Sequence, residues 1–136
     1  MQLTILIPAV VLAAALDWKS RRIPNPLTVI VAVSGLVFLA VESSASAAVA
    51  GLGQGTLVGL ACMPLYLLRG MSAGDVKLIS ATSIWWTSTQ LLTALVATAL
   101  AGAILATIYV CAVRGTTHVP YAIAIAASTV GTTFSA

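Results

Sequence analysis

The chain has 136 residues, 60% of them hydrophobic and 7% charged, and its mean hydropathy is +1.11. A water-soluble domain of this size carries roughly a quarter charged residues, so this composition cannot cover a soluble fold and fits the bilayer as solvent. The formal net charge of +3 comes from six scattered basic residues that form no patch for nucleic acid, and Cys62 and Cys111 stand far apart without the clustered partners a metal site needs. At about 20 residues per span, the length accommodates about six spans with short loops. We read residues 1–136 as one all-α, polytopic membrane domain.

Residues 1–16 carry no charged side chain and are followed by Lys19, Arg21 and Arg22. A cleavable signal would place its positive charges in front of the apolar core. The order here predicts a retained first span with its N-terminus outside, ended by Asp17 and anchored by Trp18. Ile23-Pro24-Asn25-Pro26 cannot be helix interior, because two prolines remove donors and force extended backbone before them. The second span is then Leu27 to Val41, and Glu42 to Ser46 is a polar outer loop without a basic residue. The third span, Ala47 to Leu68, contains Gly51, Gly55 and Gly59, a small-xxx-small spacing that lets another backbone approach closely.

Arg69 closes that span, and Gly70-Met71-Ser72-Ala73-Gly74-Asp75-Val76-Lys77 follows. The 36 residues from Leu78 to Val113 hold no charge, a run of about 54 Å as one straight helix against the ~30 Å a single span needs. It therefore folds back, with Trp85 to Gln90 as the corner and its indoles expected at the membrane interface. The fourth span is short and the fifth runs from Leu91 to Val113. Residues 114–118 form a loop holding the sole histidine, His118, and Val119 to Ala136 is the sixth span. With both termini outside, Lys19, Arg21, Arg22, Arg69, Lys77 and Arg114 all fall on the cytoplasmic side, as the positive-inside rule requires. A re-entrant fourth segment would move Arg114 across.

In this threading Asp17 and Asp75, two of only three acidic residues in the chain, share one membrane boundary. A carboxylate at such a boundary is costly, and two that converge share a proton and titrate as a pair. One then activates water as general base while the other, protonated, polarises a scissile carbonyl; no metal or cofactor is required. Simpler roles stand beside this one. Ser72 and Asp75 have the spacing of a helix capping box, and Asp17 has Lys19 or Arg21 as nearby counter-charges. Two other functions use the same residues: a small transporter or channel subunit with ion- or proton-coupling carboxylates, and a catalytically silent assembly scaffold.

Asp17-Trp-Lys-Ser-Arg-Arg-Ile-Pro24-Asn25, followed by Ala73-Gly74-Asp75-Val-Lys77-Leu, resembles the type IV prepilin peptidases, a GxGD-type intramembrane aspartyl protease family. The small CpaA/TadV-like form of tight-adherence (Flp) pilus systems is the most similar. Pro120-Tyr121-Ala-Ile-Ala resembles that family's stretch near the last span. The resemblance implies that Asp17 and Asp75 are the catalytic dyad and that the substrate is a prepilin or pseudopilin. The leader is cut on the cytoplasmic face of a bacterial inner membrane. Lys19, Arg21, Arg22, Pro24, Asn25, Ser72, Gly74 and Lys77 then bind substrate or lipid headgroups, or support the site. Two positions depart from the family: Ser72 stands for the first motif glycine and Ala122 for a later one. The cytoplasmic region with paired Cys-x-x-Cys motifs that larger members carry has no counterpart here, so methyl transfer is not expected.

Overall fold

The computed structural model describes residues 2–20, 23–112 and 121–135. Among them run six α-helices and no strand: α1 Gln2–Ser20, α2 Asn25–Glu42, α3 Ala45–Leu67, α4 Ala73–Ser83, α5 Ser88–Ala112 and α6 Tyr121–Ser135. Three stretches are long and apolar enough to cross a bilayer, Asn25–Glu42, Ala45–Leu67 and Thr89–Ile108, and Tyr121–Thr133 is a shorter apolar helix. The expectations for Arg21, Arg22, Arg114, His118 and Pro120 lie outside the described residues.

In α1 the buried residues are Leu6, Val10, Ala13 and Asp17. Their spacing of four, three and four keeps them on one helical face. Asp17 is therefore the last member of the core stripe. It does not end the helix as expected; α1 runs on to Ser20, with Lys19 in its last turn, where a cation suits the helix dipole. Pro24 is the N-cap of α2, with extended backbone (φ −62°, ψ 131°). Pro26 falls in the first turn, where its missing N–H costs nothing. That is why α2 starts earlier than the proline pair suggested.

The glycine face of α3 meets α4. A Cβ on Gly55 would stand 2.9 Å from the Ser80 carbonyl oxygen and from Ile84 Cγ1, and one on Gly59 would stand 2.6 Å from Ser80 Oγ. The small-residue spacing thus brings the two backbones together. α3 ends in a Schellman turn, with the Gly70 N–H donating to the Leu65 carbonyl and the Arg69 N–H to that of Tyr66. The left-handed residue of this turn is Arg69, at φ 59°, a conformation that costs a non-glycine residue about 1–2 kcal/mol. Arg69→Gly is expected to stabilise the protein by about 1 kcal/mol, read as a raised melting temperature in detergent.

The chain does fold back between α4 and α5, but the corner tryptophans are not interfacial. Trp85 and Trp86 are 1% and 6% exposed. Trp85 stacks on Phe38 at 5.3 Å, and its Nε1 donates to the Val31 carbonyl at 2.9 Å. The reason is Gly35, whose absent side chain leaves the slot: a Cβ there would stand 2.7 Å from Trp85 Nε1. An indole in the core needs a partner for its N–H, and the open slot lets it reach one.

At 11 residues, α4 is about 16 Å long and ends against the interior of α3. Gln54, a lone amide in that apolar helix, donates through Nε2 to the carbonyls of Ser83 (2.7 Å) and Trp86 (2.9 Å). The last carbonyls of a helix have no partner within it; Gln54 supplies one to Ser83, the last residue of α4, and holds the turn that follows at Trp86. Gln54→Leu takes this donor from both carbonyls, of which that of Ser83 keeps the Trp86 N–H at 3.3 Å, and is expected to cost roughly 1–3 kcal/mol, measured by thermal unfolding in detergent. α5 then turns back, and α6 packs along α5 and α1, with Thr98 Oγ1 and Ser128 Oγ 2.6 Å apart between α5 and α6.

Candidate active site

Asp75 stands in the first turn of α4, before the apolar run that begins at Leu78. The capping box read from the sequence is present. The Asp75 N–H donates to Ser72 Oγ at 3.2 Å, and the Ser72 N–H donates back to Asp75 Oδ2 at 3.3 Å. The Ser72 hydroxyl also donates to Oδ2 at 2.8 Å. Ser72 therefore serves as N-cap and as a direct partner of the carboxylate.

Capping uses only one oxygen. Asp75 is 2% exposed, and its Oδ1 is buried with no hydrogen-bond partner among the described residues. A helix cap needs neither feature, since an exposed aspartate caps equally well. A buried acceptor without a partner costs free energy, and capping by itself does not account for it.

Asp17 reaches the same place from α1, where it is 7% exposed. The two carboxylates are near enough for the charge of Asp17 to act on Asp75. Burial pushes the Asp75 carboxyl up to about 6 from an ordinary 3.8, the Ser72 hydroxyl pulls it back, and Asp17 raises it again. Two buried acids within mutual electrostatic reach favour a shared proton.

The other residues read from the sequence divide into three groups. Asn25, Gly74 and Lys77 come together beside the carboxylates: Lys77 Nζ donates to Asn25 Oδ1 at 3.0 Å, and a Cβ on Gly74 would stand 3.2 Å from Ile23 Cβ. Pro24 turns the chain between Ile23 and Asn25 as the α2 cap, and Lys19 is exposed at the end of α1. Arg21 and Arg22 lie outside the described residues. The sequence reading missed Ile23, whose side chain covers Gly74, and Gln54, which fixes the far end of α4. A single amide within a long apolar helix was the available signal for Gln54.

These residues set two shielded carboxylates within electrostatic reach of each other, one of them at the start of a short helix, and a pair of carboxyls that shares a proton is what acid–base hydrolysis without a metal requires. No curated protein and no solved structure matches the chain. Residues 4–107, which include both aspartates, match the type IV leader peptidase family. The chain belongs to that family of membrane-embedded proteases.

Proposed function

We propose that this protein is an intramembrane aspartyl endopeptidase that removes the leader from type IV prepilins of the Flp/Tad-like class, with Asp17 and Asp75 as its catalytic dyad. The observation that carries this reading is the convergence of two buried carboxylates from α1 and α4 in a chain that belongs to a leader peptidase family.

In the proposed reaction one carboxylate, ionised, takes a proton from water as the oxygen attacks the scissile carbonyl carbon. The other, protonated, gives its proton to the carbonyl oxygen, so the tetrahedral intermediate forms without a free oxyanion. Collapse breaks the C–N bond. The carboxyl that gained a proton delivers it to the leaving amine, and the other recovers its proton from the intermediate, which restores the pair. The placement of basic residues supports a site on the cytoplasmic face of the bacterial inner membrane, with both termini outside. On that face a prepilin presents its leader just ahead of its hydrophobic helix. The substrate is thus a membrane-inserted prepilin or pseudopilin.

The test is leader removal in membranes that co-express a candidate prepilin with the parent chain, Asp17→Asn or Asp75→Asn. Unchanged cleavage in both variants would end the dyad reading. Ion flux in proteoliposomes without any cleavage would replace it with transport.

A further inference from the structure

We infer that Lys77 and Asn25 are a positioning pair: their bond, with Ile23 seated on Gly74, clamps the start of α4 and sets where Asp75 stands relative to Asp17. The inference rests on the peptidase reading for its consequence, though not for its geometry.

The segment that leaves α1 after Asp17 does not simply connect two helices. Ile23 lies against the bare Cα of Gly74, and two residues later the Asn25 side-chain carbonyl accepts from Lys77 Nζ at 3.0 Å. Gly74 and Lys77 are three apart in sequence and so share one face of α4. Asp75, Leu78, Ile79 and Thr82 are buried on another. The clamp therefore grips α4 from one side while its carboxylate faces the interior. The link also spans little chain: Asn25 is eight residues beyond Asp17, and Lys77 is two beyond Asp75.

The bond lies at the exposed surface, and three properties argue for a fixed link there over a chance contact. A charged donor makes a stronger hydrogen bond than a neutral one. Ordering the four-carbon stem of a lysine costs entropy, so such a bond persists where the backbone already holds the ends in register. The register here has a second, apolar fastening at Gly74, where a side chain would crowd Ile23. The clamp also gives the two motif halves, fifty residues apart, a common structural purpose.

Catalysis depends steeply on the placement of reacting groups; a shift of about 1 Å can cost a hundredfold. The experiment is a double-mutant cycle on the full chain in detergent or proteoliposomes, with a cleavable prepilin, kcat and KM being measured separately. Asn25→Ala and Lys77→Met are each expected to lower kcat about tenfold with KM within twofold. The double variant should be no worse than the poorer single one, because one interaction is lost only once. Asn25→Asp keeps the acceptor and adds a charge, and Lys77→Arg keeps a cationic donor; both should retain kcat within about threefold. Multiplying losses in the double variant, a raised KM at unchanged kcat, or failure of Asn25→Asp to preserve activity would each overturn the clamp. Asp75→Asn runs in parallel. Undiminished cleavage by that variant overturns the dyad reading, whereas an inactive Asp75→Asn with multiplying losses overturns the clamp alone. A substrate-free measurement stands beside these, with spin labels at exposed positions 18 and 73 in a chain carrying Cys62→Ala and Cys111→Ser. Lys77→Met should broaden or lengthen the distance distribution and Asn25→Asp should not; an unchanged distribution in Lys77→Met overturns the clamp whether or not the protein cleaves prepilin.

Discussion

Asp17→Asn and Asp75→Asn are each expected to reduce leader removal by at least about a thousandfold, the scale on which the loss of one member of a catalytic unit acts. Asn matches Asp in volume and keeps one acceptor oxygen, so the packing around each position survives. At position 75 the amide oxygen can still accept from the Ser72 N–H, and the cap with it. A loss of cleavage at an unchanged melting temperature is therefore the expected pair of results. The double variant should be little worse than either single one, because two catalytic groups that share one proton act as a unit. The pH profile adds an independent reading. With the Asp75 carboxyl pushed up to about 6, kcat/KM should show an ionisation near that pH, on the falling limb if Asp75 is the acid and on the rising limb if it is the base. Stability carries the same sign of linkage. Between 3.8 and about 6 the folded chain holds a proton that the unfolded chain has released, so stability falls as pH rises through that window. A profile flat from pH 5 to 7 would show that Asp75 does not titrate in the reaction.

The parts of this architecture that were legible in the sequence are those carried by scarcity or by period. Three acids in a hydrophobic chain make each one conspicuous, and the two singled out, Asp17 and Asp75, are both buried. Gly51, Gly55 and Gly59 carry a four-residue period that has one use inside a membrane protein, and it seats α4. Ser72 and Asp75 have the spacing of a cap, and a cap is local chemistry.

What stayed hidden depends on partners distant in the chain. Trp85 and Trp86 read as interfacial because tryptophan at a corner between apolar runs has that meaning on its own. The burial of Trp85 needs the slot at Gly35, fifty residues earlier, and the Val31 carbonyl within it. Gln54 gives no hint of what it bonds until α4 is known to end beside it. Asn25 and Lys77 were conspicuous only as motif members, and their bond joins elements fifty-two residues apart. Periodicity reports which face is buried; it does not report what the face meets.

The contrast between two glycines of α3 tests how closely that helix must hold α4. Gly55→Val is expected to cost about 3 kcal/mol and to lower cleavage roughly a hundredfold, whereas Gly53→Val should change stability by no more than about 0.5 kcal/mol. A Cβ at position 55 would meet a backbone carbonyl, that of Ser80, at 2.9 Å, together with Ile84 Cγ1. A flexible side-chain tip could move aside, but a carbonyl in the middle of α4 moves only with the helix. At position 53 nothing lies within 4 Å, so the same substitution enters open space and gains slightly in helix propensity. The added side chain is the same in both variants, which cancels its general effect on insertion and hydropathy and leaves the helix–helix distance as the variable. Displacing α4 moves Asp75 with it, because the carboxylate is fixed to that helix by its own cap. Stability and cleavage should therefore fall together in Gly55→Val, unlike the Asp variants, in which activity alone is lost. A Gly55→Val protein that melts and cleaves like the parent would mean that α4 is held by its two ends, at Asn25 and Gln54, and not by the glycine face between them.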